Sequence, residues 1–207
     1  MRGIWSQGMN NKTLNYYNQN AEEFINRTVH ADMHYCQDKF IELLEPNAYI
    51  LDAGCGSGRD SLYFMEHGFK VCAIDCSEEM CKAASDYIGQ QVKCLKFQDI
   101  DYEEMFDGVW ACASLLHVPK QELPDILRKF YRALKPNGVM YASFKYGDKE
   151  EERLGRFFSD YNLEEIEKVF VEDVGFELME GFETEDVRPD YAGKPWVNVV
   201  VRKSANY

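Results

Sequence analysis

The sequence predicts an α/β fold built on a doubly wound sheet of seven strands, mostly parallel, with an antiparallel strand at the C-terminal end. Short apolar strands alternate with amphipathic helices over residues 49–174, a pattern typical of a parallel sheet covered by helices on both faces. Two more strands, 176–182 and 197–201, follow with no helix between them, which predicts an antiparallel pair. A glycine-rich loop, 52–58, joins the first strand to the next helix.

Two helices are predicted ahead of the sheet. Apolar residues recur at helical spacing from Lys12 to Val29, and a second helix runs from about Tyr35 to Glu45 and stops before Pro46. We therefore expect one domain over residues 1–207, in which residues 1–45 form a helical cap on a core of residues 46–207.

The elements of the core follow from apolar periodicity and turn residues. Lys135–Gly138 is predicted to be a turn, and the charged run Asp148–Arg153 a solvated loop or helix face. The predicted strands are 49–51, 71–75, 92–97, 109–113, 139–144, 176–182 and 197–201, and the predicted helices are 59–67, 77–88, 121–134 and 163–174.

Composition narrows the function classes. The net charge of −13 opposes broad affinity for nucleic acid or anionic membranes, so neither is expected as a partner. No apolar run approaches the ~20 residues that span a bilayer, and no secretory signal precedes the first helix, which favours a cytoplasmic protein. The seven cysteines are scattered without metal-ligand spacing, so neither a disulfide framework nor a metal site is expected. A small molecule in a locally basic pocket remains compatible with these features.

The glycine loop carries the strongest signal for a ligand. Glycines at positions 54, 56 and 58 let the backbone approach a ligand closely at a helix N-terminus. Asp75 ends the next strand, 21 residues after Gly54, a spacing that suits a carboxylate on the ribose hydroxyls of an adenosine. Arg59 stands where the dinucleotide fingerprint has its third glycine, and Asp52 precedes the loop. These two residues favour a cofactor with a cationic amino-acid tail over NAD, while a purely structural glycine turn stays open.

In these segments the chain resembles the class I S-adenosylmethionine (SAM) dependent methyltransferases. The matching stretches are 50–58, 73–75, 106–110 and 134–139, and residues 58–63 resemble the small-molecule, tellurite-resistance-type subgroup. The resemblance implies a Rossmann-like fold, SAM as cofactor, S-adenosylhomocysteine as product and a small-molecule acceptor.

The resemblance also implies which residues bind the cofactor. The loop 54–58 would line the methionine moiety, Asp75 would hold the ribose, and Cys76 and Met80 would flank the adenine, with Asp99 and the Ile100 amide on its edge. Residues 113–115 would pass beside the reactive methyl group. The full set is Tyr17, Asp52, Gly54, Cys55, Gly56, Arg59, Asp60, Asp75, Cys76, Met80, Asp99, Ile100, Ala113, Ser114 and Leu115.

His117 is the candidate for proton transfer. It follows the fourth strand, at the sheet edge where open α/β folds bind ligands, and a general base is needed where the acceptor loses a proton. The alternative is a residue that supports the site without touching the acceptor.

The acceptor candidates come from the cap and from the segments after the fifth strand: Arg27, Tyr146, Arg156, Arg188 and Trp196. Guanidinium groups near the mouth of a pocket suit an oxyanion, which favours an anionic acceptor. The alternative is that they are surface arginines paired with acids. A SAM-binding module without turnover also stays open. An NAD-dependent oxidoreductase is disfavoured by Arg59 in the third-glycine position. The sequence does not indicate an oligomeric state.

Overall fold

The structure is a computed structural model that describes the backbone of residues 4–188 and 193–205, with side chains from residue 12 onward. The helices are α1 Ile4–Gln19, α2 Ala21–Thr28, α3 His34–Ile41, α4 Arg59–Glu66, α5 Glu78–Ile88, α6 Leu123–Ala133 and α7 Leu163–Lys168. The strands are β1 Tyr49–Ala53, β2 Lys70–Asp75, β3 Lys93–Cys94, β4 Phe106–Ala111, β5 Leu134–Lys145, β6 Glu150–Arg153, β7 Arg156–Ser159, β8 Glu177–Glu185 and β9 Pro195–Arg202.

Seven of these strands form one sheet in the order β3-β2-β1-β4-β5-β9-β8. The pairs from β3 to β5 are all parallel, whereas β9 runs antiparallel to both β5 and β8. One strand therefore opposes the other six, which confirms the predicted Rossmann-like α/β fold and the antiparallel C-terminal pair. The predicted division into a helical cap and a core is still a prediction.

The central strand β1 is buried on both faces because helices cover both sides of the sheet. Leu51 packs in one core layer with Leu127, and Ile50 packs in the opposite layer with Phe64. The chain leaves β1 to one side through β2 and to the other through β4. Such a reversal of strand order opens a crevice at the carboxyl ends of the strands, where ligands bind in this class of fold.

Four sequence predictions differ from the structure in detail. The helix predicted over 12–29 is interrupted at Asn20, whose backbone leaves the helical region (φ −122°, ψ 21°). The strand predicted over 92–97 shrinks to β3, because the chain turns into a 3₁₀ helix at Phe97–Asp99. The helix predicted over 163–174 changes after α7 into a π-helix, Val169–Val174. The turn predicted at Lys135–Gly138 lies inside β5, where Asn137 adopts a φ of 64°.

The charged run Asp148–Arg153 was expected to be a solvated loop or helix face. Its side chains are largely exposed, as expected, but the predicted backbone conformation is wrong. Most of the run forms β6, which pairs with β7 in a separate antiparallel hairpin. Leu154 and Gly155 make the connection with φ values of 50° and 76°. Positive φ at both residues of a two-residue loop is the geometry that matches the twist of a hairpin. The hairpin carries residues 156–159 back towards α1.

Two absences concern the described part of the chain. No helix in it is both long enough and apolar enough to cross a membrane. Within the same residues, no group of three histidine, cysteine or acidic side chains is arranged to hold a metal ion.

Candidate active site

A cavity of about 1080 Å³ opens at the carboxyl ends of β1, β2, β4 and β5. Residues of α1, α2 and the β6–β7 hairpin line its outer side, and the glycine loop lines its inner side. Most of the predicted site residues lie on its wall: Tyr17, Gly54, Cys55, Gly56, Arg59, Asp60, Asp75, Cys76, Met80, Asp99, Ala113, Ser114, His117, Tyr146, Arg156, Arg188 and Trp196.

Four predicted residues lie elsewhere. Asp52 and Leu115 are buried behind the cavity wall, and Ile100 is buried with its amide 3.4 Å from the Phe97 carbonyl. Arg27 lines a small crevice next to the cavity, together with Arg156 and other side chains. The sequence placed these residues near the correct loops but did not show which way each side chain faces.

The backbone of the glycine loop is held against the ends of β2 and β4. The Gly54 amide donates to the Ile74 carbonyl over 2.8 Å, with φ at 80°. A Cβ at Gly54 would lie 2.5 Å from Cβ of Ser114, so a side chain there would push two loops apart. The loop therefore requires glycine both for its conformation and for its close approach to the segment after β4.

Asp75 joins the glycine loop to the start of α5. Its Oδ2 accepts from the Gly56 amide over 3.0 Å, and its Oδ1 accepts from the Ser77 amide over 2.9 Å. Burial raises the pKa of Asp75, although the amide groups of Ser77 and Gly56 act in the opposite direction. The carboxylate is thus fixed by backbone donors on the cavity wall, with lone pairs left for a ligand.

A buried ionic network lies below the loop. The Asp60 carboxylate accepts from Nε of Arg59 over 2.7 Å, Nε1 of Trp110 over 2.9 Å and Nε2 of Gln37 over 2.7 Å. Burial opposes the ionisation of Asp60, but Arg59 outweighs it and the pKa is lowered. The nearby Asp52 accepts from the Ser61 hydroxyl over 2.6 Å. Burial and the charge on Asp60 raise the pKa of Asp52.

Tyr17 and His117 form a hydrogen-bonded pair on the opposite wall. Nδ1 of His117 lies 2.6 Å from the Phe157 carbonyl, which can only accept, so Nδ1 carries the proton. Nε2 is then an acceptor, and the Tyr17 hydroxyl donates to it over 2.8 Å. Burial lowers the pKa of His117 to about 4, which the Phe157 carbonyl opposes and the Arg156 charge reinforces. The imidazole is therefore neutral near pH 7.

Comparison with known proteins adds the family. Residues 50–138 match a family model described as a methyltransferase domain. The chain is 31% identical over 147 residues to the malonyl-[acyl-carrier protein] O-methyltransferase of Erwinia pyrifoliae. The aligned region covers 65% of this chain and 49% of that protein. The 1,6-didemethyltoxoflavin-N1-methyltransferase of Burkholderia thailandensis shares the fold, with a TM-score of 0.80 at 19% identity. The match covers 99% of this chain and 92% of that one, whose structure contains 1,6-didemethyltoxoflavin and S-adenosylhomocysteine.

Residues 50–138 thus match a methyltransferase domain, and the sequence relatives and fold neighbours support the predicted class I SAM-dependent methyltransferase. The TehB-like SAM-dependent methyltransferase of Corynebacterium glutamicum also shares the fold. Its TM-score is 0.67 at 22% identity, and the match covers 92% of this chain and 99% of that one. The chain spans 22% to 49% of the length of the curated relatives it matches.

The methyltransferase domain supports SAM, the cofactor predicted from the sequence. The cavity fits it because the close packing at Gly54 leaves exposed backbone along the loop, and because the fixed Asp75 carboxylate faces the same space. The volume of about 1080 Å³ is at the upper end of small-molecule pockets, which commonly reach ~1000 Å³, so it can hold a cofactor together with a small acceptor.

The acceptor side of this methyltransferase has a charged framework. Asp186 is buried and accepts from Arg188 over 2.6 Å and from Nε1 of Trp196 over 3.0 Å. Lys145, at the end of β5, lies 3.8 Å from Asp186 and 4.4 Å above the Trp196 ring. Burial lowers the pKa of Lys145 to about 8, against the effect of Asp186. Tyr146 is half exposed at the cavity mouth.

Sequence reasoning did not find the residues that hold the Tyr17–His117 pair. The Phe157 peptide donates its N–H to Oγ1 of the buried Thr13 over 3.0 Å and accepts from His117 through its carbonyl. Thr13 and Tyr17 lie one turn apart on α1, so one face of the helix contacts both ends of this arrangement. The available signal was the Gly155 turn followed by alternating residues 156–159, which is typical of a hairpin strand.

Proposed function

We propose that this methyltransferase transfers a methyl group from SAM to a small-molecule acceptor in the cavity between the glycine loop and the β6–β7 hairpin. The observation that carries the proposal is that one cavity has Asp75 and the loop on one wall and the Tyr17–His117 pair on the other. The names of the malonyl-[acyl-carrier protein] and 1,6-didemethyltoxoflavin methyltransferases support an acceptor of this kind.

On the cofactor side, Asp75 would accept from the ribose hydroxyls with the lone pairs left by Gly56 and Ser77. Asp99 would meet the adenine edge, and Cys76 and Met80 its faces. Arg59, fixed by Asp60, would bind the methionine carboxylate beside the loop. When bound, SAM supplies an electrophilic methyl group for an in-line displacement, so positioning of the acceptor supplies much of the catalysis.

Tyr17 was expected to bind the cofactor, but its hydrogen bond to His117 favours a role on the acceptor side, where the two residues would orient an N–H or O–H group of the acceptor. The Tyr17 hydroxyl donates its proton to His117, which leaves the phenol oxygen as an acceptor facing the cavity. A proton lost from the acceptor would pass to that oxygen as the Tyr17 proton moves to Nε2 of the neutral imidazole. The other imidazole proton stays on Nδ1, which donates it to the Phe157 carbonyl.

The test separates cofactor binding from turnover. Calorimetry with SAM, S-adenosylhomocysteine and NAD is run on the wild type and on Asp75→Ala, with Asp86→Ala on α5 as a matched control. We expect SAM and its product to bind, NAD not to bind, and Asp75→Ala to weaken SAM binding at least ~10-fold, which corresponds to ~1.4 kcal/mol.

Turnover is then measured with methyl-labelled SAM against a panel of small amines, alcohols, thiols and acids. Label transferred to a panel member supports the proposal. Binding of NAD in place of SAM, or unchanged SAM affinity in Asp75→Ala, would contradict the cofactor site. Tight SAM binding with no transfer to any acceptor would favour a binding module instead.

A further inference from the structure

Arg156 differs from the other arginines on the acceptor side in its charge balance. Arg153 lies 2.5 Å from Asp160, Arg188 lies 2.6 Å from Asp186, and Arg27 lies 3.6 Å from Glu23. Among the side chains that the structure describes, no carboxylate lies within 4.0 Å of the Arg156 guanidinium, and its Nε is buried without a hydrogen-bond partner. In a chain with a net charge of −13, a cation without an acidic partner on a cavity wall is unusual.

Aromatic rings hold Arg156 in place. Its guanidinium carbon lies 4.5 Å from the centre of the Tyr16 ring, 5.2 Å from that of Phe158 and 5.9 Å from that of Tyr17. Stacking against a ring contributes ~0.5–2 kcal/mol and uses the face of the guanidinium, not the N–H groups on its edge. The rings therefore stabilise the position of the cation. The guanidinium also interacts with the Tyr17 hydroxyl, but its Nε donor is left unsatisfied.

The position of Arg156 links it to the proposed chemistry. The residue begins β7, one position before Phe157, whose carbonyl binds His117. It lines both the main cavity and the small crevice that also contains Arg27 and Arg188. An anion bound there would lie on the acceptor side, across the cavity from Asp75.

Resting on the proposed function, we propose that Arg156 binds an oxyanion of the acceptor, so that the methylated molecule is a small carboxylate or phosphate compound. The planar fork of the guanidinium matches either group through two parallel hydrogen bonds. The neighbouring Arg27, Arg153 and Arg188 form ion pairs with acidic side chains, so Arg156 supplies the unneutralised charge of this subsite. The overall negative charge of the chain makes such a subsite selective, since anions are repelled from the rest of the surface.

The experiment titrates the protein saturated with S-adenosylhomocysteine with inorganic phosphate and, separately, with succinate, by calorimetry at low salt. The variants are Arg156→Gln and, as a matched control on the outer face of α6, Arg128→Gln, whose side chain is half exposed and pairs with Asp125. We expect at least one of the two anions to bind the wild type, and Arg156→Gln to weaken it at least ~10-fold. Arg128→Gln and the affinity for S-adenosylhomocysteine should not change.

The anion that responds distinguishes a phosphate acceptor from a carboxylate acceptor. Binding of neither anion to the wild type, or equal weakening in Arg128→Gln, overturns the subsite. A parallel loss of S-adenosylhomocysteine affinity in Arg156→Gln would assign Arg156 to the cofactor and also overturn it. If Arg156→Gln does not fold, Arg156→Lys, which keeps the charge and loses the fork, should give a smaller loss in the same direction. A wild type that fails to bind S-adenosylhomocysteine refutes the proposed function itself.

Discussion

The buried imidazole of His117 should make the stability of the protein depend on pH in a defined window. In the unfolded chain a histidine takes up a proton below its ordinary pKa of ~6.5, whereas in the folded protein His117 stays neutral until about pH 4. Between these values the unfolded state binds more protons than the folded state, so stability is full above pH 6.5 and falls as the pH is lowered. With these two pKa values, the loss from this one group between pH 7 and pH 5 is about 2 kcal/mol.

The assay is urea unfolding at pH 7 and pH 5 for the wild type, His117→Gln and His67→Gln. The first variant removes the titration while its side-chain oxygen can still accept from Tyr17, and the second replaces an exposed histidine on the far side of the chain. We expect the drop in unfolding free energy from pH 7 to pH 5 to be about 2 kcal/mol smaller in His117→Gln than in the wild type. His67→Gln should follow the wild type. Equal drops in all three proteins would refute the inference that His117 is buried and neutral.

Three further outcomes follow from the same contacts. Asp60→Asn should destabilise the fold by about 3 kcal/mol in urea unfolding, because it leaves the buried Arg59 without its counter-ion, whereas the exposed Asp125→Asn should change little. Tyr17→Phe should lower kcat ~100-fold once an acceptor is known, with SAM affinity within threefold of the wild type, because it removes the donor to the imidazole. Gly54→Ala should destabilise the fold by about 2 kcal/mol in thermal unfolding, since φ is positive and Ser114 blocks the added Cβ.

The cofactor half of the site could be predicted from the sequence because it depends on local backbone rules. The spacing of the glycines and of Asp75 places them at the ends of adjacent strands, and β1 and β2 pair in register from Tyr49 with Lys70 to Ala53 with Ile74. Once the strands are recognised, their ends must meet. The sequence could not show the direction of each side chain. Asp52 lies behind the cavity wall, whereas Asp60, in the first turn of α4, reaches it.

The acceptor half of the site was less predictable, because part of it is built from a strand whose residues are mostly charged. Three glutamates at 150–152 indicated a solvated loop or helix face; they are exposed, but they form β6 and pair with residues 157–159. A strand of a small hairpin needs only one covered face, and charged residues are common on the other. Of the predicted arginines, Arg156 and Arg188 line the cavity and Arg27 lies in the adjoining crevice. The hairpin places Arg153 directly opposite Arg156 on the same face, where Arg153 pairs with Asp160.

Helix α1 connects the two halves, and this has a consequence for how the methyltransferase works. On the acceptor side, Oγ1 of Thr13 accepts from the backbone N–H of Phe157. On the cofactor side, Oδ1 of Asn18 accepts from the hydroxyl of Ser77, and the backbone N–H of Ser77 donates to Asp75. A shift of α1 would therefore disturb both the carboxylate for the ribose and the carbonyl that orients His117. Because a single helix makes both contacts, ordering of the cofactor side of the cavity favours ordering of the acceptor side. Cofactor binding should therefore increase the affinity for the acceptor. By the reciprocity of such coupling, the acceptor must raise the affinity for SAM by the same factor.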